Sequence, residues 1–221
     1  MMAFIIEAAL VTLGAGGLLF FFARFGGGYV GSDELLYLQT ALNNGENLKI
    51  ANRYTHVYLM KLFLWLSPDV LTGARIMWAV EIAVTVVLVY IAARLLAGPG
   101  SQLIGLLAVV IFLSFPFLSG RSGGPSVDVT AMAMVTALLG LYLYSTRRDH
   151  RNRVVLLGIG FVLILAFKAK ETTIVSAVLL LGLGLDAVDQ FDGRRFLTNL
   201  AWCVGGMFIG LAVFAGLNAI F

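Results

Sequence analysis

The ionisable residues of this chain that could do chemistry stand in short groups at the borders of apolar segments. Asp33 and Glu34 follow Ser32, and a carboxylate at that point could accept a proton from a hydroxyl group. Lys168 and Lys170 interrupt apolar sequence further on, and two ammonium groups there could hold a phosphate by charge and hydrogen bonding. Each group also has a structural interpretation, as a helix-capping acidic pair or as lysines that snorkel from a tight turn.

Four further residues belong to the same set of candidates. Arg53 and His56 lie within one helical turn of each other, and Arg75 is a cation near the start of the next apolar run. Asp128 follows a glycine-rich stretch, where it is either a functional carboxylate or only a partner of the helix dipole. The chain has only 2 histidines, so the sequence gives little support to a metal site built from histidine.

Several kinds of site are excluded by missing motifs. The sequence has no nucleotide-type glycine loop, no G-x-S-x-G and no H-E-x-x-H. Cys203 is the single cysteine and stands within an apolar run, which predicts a small apolar filler and no disulfide. The net charge of +3 is accounted for by basic loops, so nucleic acid is not an expected partner.

The composition identifies the elements that must position these residues as membrane helices. Of the 221 residues, 60% are hydrophobic and 12% are charged, against roughly 25% charged in soluble domains. A span needs about 20 apolar residues. The sequence therefore predicts an all-α membrane protein with about seven transmembrane helices, in the apolar runs 2–23, 71–97, 102–119, 127–146, 154–168, 172–188 and 198–221. Glu81 lies inside the second run, so we expect it to pair with another helix or to line a cavity.

The long first loop, 24–70, is expected to carry two interfacial helices. The first begins at Ser32 and has leucines at 35, 38 and 42, the spacing of an amphipathic helix. The second covers about 55–66 and is apolar but too short to span a bilayer. The segment 67–69, Ser-Pro-Asp, should break the chain before the second span.

The distribution of arginine predicts the orientation. Segment 147–153 has four arginines in seven positions, Arg194 and Arg195 lie between the last two runs, and Arg94 precedes the connection between runs two and three. Because basic loops stay inside, we expect an integral protein of the cytoplasmic membrane with its N-terminus in the cytoplasm and the first long loop outside. Membrane lipids are the expected surroundings.

In their order along the chain, these features resemble the GT-C superfamily of integral-membrane glycosyltransferases, in the branch of the protein O-mannosyltransferases and aminoarabinose transferases. The resemblance covers the whole chain and depends on order and spacing, since each motif alone is weak. It consists of an acidic pair before an interfacial helix, a basic and histidine-containing stretch, an arginine opening span two, an aspartate opening span four and a lysine ending span five: Asp33-Glu34, Arg53-Tyr-Thr-His56, Arg75, Asp128 and Lys170.

The resemblance implies a polyprenyl-phosphate-sugar donor and direct displacement with inversion at the anomeric carbon. Asp33 takes the family's role of general base. The resemblance implies that Lys170 and Arg75 are the first candidates to bind the leaving phosphate, and that Arg53 and Lys168 are the second. Asp128 is then expected to shape the donor or acceptor pocket. Glu34 and His56 are supporting groups, or ligands if a divalent metal is used; no other cofactor is implied.

The chain also departs from the family's pattern. Members usually continue beyond seven spans and often carry a soluble outer domain, whereas this sequence ends at Phe221, and their proline-rich stretch is replaced here by Tyr-Thr-His-Val at 54–57. We therefore expect a single module over 1–221, either as part of a longer enzyme or as a shortened relative. A non-catalytic subunit of a larger membrane complex is the alternative, and a small transporter ranks last because no internal repeat is visible.

Overall fold

The computed structural model describes residues 11, 13–14, 16–17, 32–42, 53–98, 100–114, 127–147, 152–185 and 191–220, with the backbone alone at 32–35 and 220. The α-helices, in chain order, are α1 (Ser32–Leu42), α2 (Tyr54–Trp65), α3 (Val70–Ala97), α4 (Gln102–Leu113), α5 (Val127–Arg147), α6 (Arg153–Ala169) and α7 (Gly193–Ile220). A 3₁₀ helix, Glu171–Gly184, lies between α6 and α7.

Over these residues the protein is all-α, as the sequence predicts, and no strand is present apart from an isolated bridge between Leu185 and Phe191. Three of the described helices are long and apolar enough to cross a membrane: Val70–Ala97, Val127–Arg147 and Gly193–Ala219. They match the apolar runs 71–97, 127–146 and 198–221, so these segments suit an integral membrane protein. The full count of about seven spans stays a prediction. The helices in runs 102–119, 154–168 and 172–188 have 12, 17 and 14 described residues, fewer than a candidate span needs, and most of run 2–23 falls outside the described residues.

The run 172–188 differs from the α-helix that apolar length alone would suggest. It forms the 3₁₀ helix, of 14 residues. A 3₁₀ helix rises about 2.0 Å per residue against about 1.5 Å in an α-helix, so this segment extends roughly 28 Å instead of roughly 21 Å. Its length is therefore close to, but below, the ~30 Å thickness of a hydrocarbon core.

The two short helices of the first loop are confirmed. Helix α1 begins at Ser32, and α2 lies within one residue of the predicted 55–66. Asp69, interpreted from sequence only as part of a break, caps α3: its carboxylate accepts hydrogen bonds from the backbone N–H of Thr72 at 2.9 Å and from the Thr72 hydroxyl at 2.7 Å. These bonds hold the pKa of Asp69 below its ordinary value.

Contacts between helices fix their relative directions in the first half of the bundle. Thr130 at the start of α5 contacts Glu81 in α3, and Arg147 at the end of α5 donates to the carbonyl of Leu95, so α3 and α5 run in the same direction. Helix α4 returns along α3, with Gly105 against the ring of Tyr90.

The second half of the bundle continues the alternation. Helices α6 and α7 run in the same direction, since Gly206 of α7 meets Leu157 and Gly210 meets Ile164. The 3₁₀ helix runs back past them, and the Asn199 side chain donates to the Leu183 carbonyl near its end. We call the end of the bundle that holds the start of α5 and the end of α6 the site end, and the opposite end the basic end.

The core consists of three apolar clusters. One joins α3, α4 and α5 around Trp78, a second joins α1, α2, α3 and α5 around Met60, and the third joins α5, α6, α7 and the 3₁₀ helix around Ile159. Cys203 belongs to the third cluster and is fully buried, which confirms its prediction as an apolar filler.

Close packing of α6 against α7 depends on glycine. A methyl group added at Gly206 would lie 1.9 Å from the Leu157 carbonyl oxygen, whereas one at Gly216, on the same helix, has nothing within 4 Å. We expect Gly206→Ala to lower the free energy of unfolding by roughly 1–3 kcal/mol, because the two backbones must separate. Gly216→Ala should cause no loss. Thermal unfolding in detergent measures both, and equal melting temperatures would refute this account of the interface.

Candidate functional site

The first turns of α2 join three parts of the bundle at the site end. The Thr55 hydroxyl donates to the Leu165 carbonyl of α6 at 2.7 Å, across 110 positions of sequence. One turn later, the Tyr58 hydroxyl donates to the Asn218 side chain near the end of α7. Helix α2 is thereby held against the ends of α6 and α7, which positions the residues at its start.

A chain of buried polar side chains connects α2, α5 and α3. His56 Nδ1 lies 2.6 Å from the Thr130 hydroxyl oxygen, and that hydroxyl donates to Glu81 Oε1 at 2.5 Å. A hydroxyl group has one proton, so Thr130 can donate to Glu81 only if it accepts from His56. This arrangement puts the imidazole proton on Nδ1 and confirms the expectation that Glu81 pairs with another helix.

The two ends of this chain have no hydrogen-bond partner within the described part of the protein. They are His56 Nε2 and Glu81 Oε2, and both atoms are buried. The His56 side chain is 0% exposed and that of Glu81 is 6% exposed. An unpaired buried polar atom costs about 1–3 kcal/mol, so two at the ends of one chain need an explanation.

His56 is neutral at ordinary pH because of its surroundings. The pKa of His56 is lowered to about 3: burial lowers it most, Arg53 also lowers it, and Asp128 partly opposes them. The edge of the Tyr37 ring packs against the imidazole with 5.2 Å between the ring centroids. The sequence-based candidates Arg53, His56 and Asp128 are therefore close enough to act on one another electrostatically.

Asp128 and Lys170 form an ion pair at the same end. Asp128 lies in the first turn of α5, Lys170 directly follows α6, and their side chains are 29% and 31% exposed. The pair brings together two residues that are 42 positions apart in the sequence. Lys170 already has a counter-ion within the chain, and this reduces the charge that it can offer to a phosphate.

Two further described cations at the site end lie over aromatic rings. The Arg53 guanidinium carbon is 5.5 Å from the centre of the Tyr37 ring, and Lys168 Nζ is 5.2 Å from that of Tyr54. Tyr54 in turn lies 6.1 Å from Phe214 of α7, ring centre to ring centre. A cation over a ring keeps its hydrogen-bond donors available to a further partner.

Arg75 occupies a different level of the bundle. It lies near the start of α3, where it adds to the effect of the Thr72 hydrogen bonds in lowering the pKa of Asp69. It precedes Glu81 by six residues, about 9 Å along the helix axis. The contacts described for the polar chain and the ion pair do not include it.

Asp33 and Glu34 lie in the first turn of α1, and Asp33 precedes Tyr37 by one turn. Their side chains fall outside the described residues. Among the residues that are described, no three His, Cys, Asp or Glu side chains are grouped to hold a metal ion, and His56 Nδ1 is committed to Thr130. The predicted ligand pair of Glu34 and His56 includes a side chain outside the described residues, so it stays a prediction.

Thr130 and Tyr37 are site residues that sequence reasoning missed. One signal for Thr130 was available: a carboxylate inside a span needs a donor, and hydroxyl groups in neighbouring spans are the natural candidates. Nothing in the sequence distinguishes Thr130 from the other threonines of α5. The choice depends on which of them lies level with Glu81.

Comparisons with known proteins give no match for this chain: no family model, no curated protein and no solved structure is similar to it.

Proposed function

We propose that this protein is a membrane-embedded transferase of the GT-C kind that moves a sugar from a polyprenyl-phosphate carrier to an acceptor hydroxyl. The observation that carries the proposal is the convergence of residues far apart in the sequence at one end of the bundle. The first turn of α2, the first turn of α5 and the end of α6 supply them: Arg53, His56, Asp128, Lys168 and Lys170.

The leaving phosphate needs cations that are not already neutralised. Arg53 and Lys168 contact aromatic faces, whereas Lys170 is paired with Asp128. We therefore assign the phosphate to Arg53 and Lys168 first and give Lys170 a secondary role, which reverses the order that the family resemblance implies. Arg75 takes part in none of the contacts described between these residues, so we rank it last among the cations.

Asp33 acts as the general base for the acceptor hydroxyl in this proposal, and Glu34 is a supporting group. The acceptor oxygen attacks the anomeric carbon as its proton passes to the Asp33 carboxylate, and the bond from that carbon to the phosphate oxygen breaks with both electrons going to the phosphate. Attack opposite the leaving group inverts the anomeric carbon. The position of Asp33, one turn (about 5.4 Å) before the Tyr37 that contacts His56, supports this assignment.

The proposed orientation places the site end outside the cytoplasmic membrane. In this proposal the membrane is crossed by α3, α5 and α7 and by four further spans: α4, α6, the 3₁₀ helix and the run 2–23. Arg94, Arg147, Arg153 and Arg194 flank the connections at the basic end, which favours a cytoplasmic location for that end.

A non-catalytic subunit of a larger membrane complex is the second candidate. The ion pair between Asp128 and Lys170 favours it, because a pair satisfied within the chain can serve to hold α5 against α6 without any substrate. This candidate predicts no preference for lipid phosphate at the site end.

Binding of a polyprenyl phosphate distinguishes the two candidates. We expect the protein in nanodiscs to bind polyprenyl phosphate but not the matching polyprenol. Arg53→Gln and Lys168→Gln should each weaken binding roughly tenfold or more, since a hydrogen bond to a charged group contributes about 1.5–3 kcal/mol. Arg194→Gln, which removes a cation at the basic end, is the matched control and should bind as wild type does. Equal binding of the phosphate and the alcohol would overturn the transferase proposal in favour of the subunit.

A further inference from the structure

We propose that His56, Thr130 and Glu81 form a buried relay that binds one proton, taken up at His56 Nε2 and held at Glu81 Oε1. The inference depends on the contacts of these three side chains and is independent of the proposed transferase activity. It assigns a proton-binding site to His56, Thr130 and Glu81, a role that the family resemblance does not imply for these residues.

The geometry of the chain suits proton transfer. Its two hydrogen bonds are short, at 2.6 Å from His56 to Thr130 and 2.5 Å from Thr130 to Glu81. A hydroxyl group both donates and accepts, so Thr130 can receive a proton from one neighbour as it passes its own to the other. The three residues come from α2, α5 and α3, which the packing of the bundle holds in place.

The unpaired ends of the chain argue against a purely structural role. A structural hydrogen-bond chain is most stable when every buried polar atom has a partner, yet His56 Nε2 and Glu81 Oε2 have none among the described residues. His56 Nε2 is a bare lone pair in the arrangement above, which makes it the acceptor for an incoming proton. Glu81 supplies the carboxyl group at the other end.

The proton balance of the relay is simple. A proton adds to His56 Nε2, the Nδ1 proton moves to the Thr130 oxygen, and the Thr130 proton moves to Glu81 Oε1. The imidazole changes tautomer and stays neutral, the threonine keeps one proton, and the carboxylate becomes a carboxylic acid. No buried imidazolium forms, which agrees with the strongly lowered pKa of His56.

The charged and titratable groups around the relay come from four helices and their ends. The positive charge of Arg53 disfavours protonation of His56, and the negative charge of Asp128 favours it. Lys170 partly neutralises Asp128 through their ion pair. Tyr37 lies in α1, Asp128 in α5, Arg53 directly before α2 and Lys170 directly after α6. Within the chain of three residues, the Glu81 carboxylate is the group that takes up the added proton.

Nitrogen NMR of isotope-labelled histidine tests the relay directly, because it separates the two neutral tautomers from the imidazolium. The chain has 2 histidines, and His150→Gln removes the second signal. Between about pH 5 and about pH 9, we expect His56 to change from the Nε2–H tautomer at the acid end to the Nδ1–H tautomer at the alkaline end, with no imidazolium. One tautomer throughout, or an imidazolium in this range, would overturn the proposal.

Two variants test whether Glu81 receives the proton. Glu81→Gln keeps the size and polarity of the side chain but removes the titrating group, so His56 should hold one tautomer at every pH. Thr130→Ser keeps the bridging hydroxyl, so the tautomer change should persist. A change of tautomer that survives Glu81→Gln would show that the proton goes elsewhere. This readout does not involve sugar transfer, so it fails or succeeds separately from the proposed function.

Discussion

The Asp33→Asn protein should transfer sugar at least about 100-fold more slowly than wild type. A general base contributes roughly 100-fold to 10,000-fold to a rate, and an asparagine side chain cannot accept the proton of the attacking hydroxyl. The measurement is release of polyprenyl phosphate from a polyprenyl-phosphate-linked mannose or aminoarabinose in the presence of hydroxyl acceptors. Donor binding should stay within a few-fold of wild type, since asparagine keeps the size and polarity of the site.

Asp69→Asn is the matched control for this variant. It makes the same chemical change at an exposed acid that caps α3, and asparagine caps a helix as well as aspartate does. Its transfer rate should therefore equal that of wild type. Wild-type transfer by Asp33→Asn would eliminate Asp33 as the base, and equal losses in both variants would show that the effect is a general one of removing an acid.

Replacement of Thr130 with valine should lower the free energy of unfolding by roughly 3 kcal/mol. Valine has nearly the shape of threonine, but it removes both hydrogen bonds of the buried chain and leaves His56 Nδ1 and Glu81 Oε1 unpaired. Each buried group that loses its partner costs about 1–3 kcal/mol. Thermal or detergent-induced unfolding gives the difference from wild type.

Thr136→Val provides the comparison on the same helix. The Thr136 hydroxyl donates to the Met132 carbonyl one turn earlier, at 2.7 Å, so its loss leaves no group on another helix unpaired. We expect a change below about 1 kcal/mol for this variant. If the two valine variants were equally stable, the hydrogen-bond chain would contribute nothing to the packing of α2 and α3 against α5.

Much of the secondary structure could be predicted from the sequence because its signals are local. Apolar length placed α3, α5 and α7, and an N-terminal serine followed by a leucine spacing placed α1. The short apolar segment before Ser-Pro-Asp placed α2 to within one residue. A carboxylate inside an apolar run must find a partner wherever the chain folds, so the pairing of Glu81 was predictable although its partner was not.

The tertiary structure decided which of the candidate residues meet. It paired Lys170 with Asp128, set Arg75 on another level and put Thr130 opposite Glu81, because these outcomes depend on the direction and relative height of helices distant in the sequence. The 3₁₀ helix was also decided by the tertiary structure, for a different reason: the composition of an apolar segment does not distinguish a 3₁₀ helix from an α-helix. The sequence by itself determined that this is a helical, membrane-type chain with sparse charge. The packing of the helices determined that Lys170 pairs with Asp128 while Arg53 and Lys168 lie over aromatic rings.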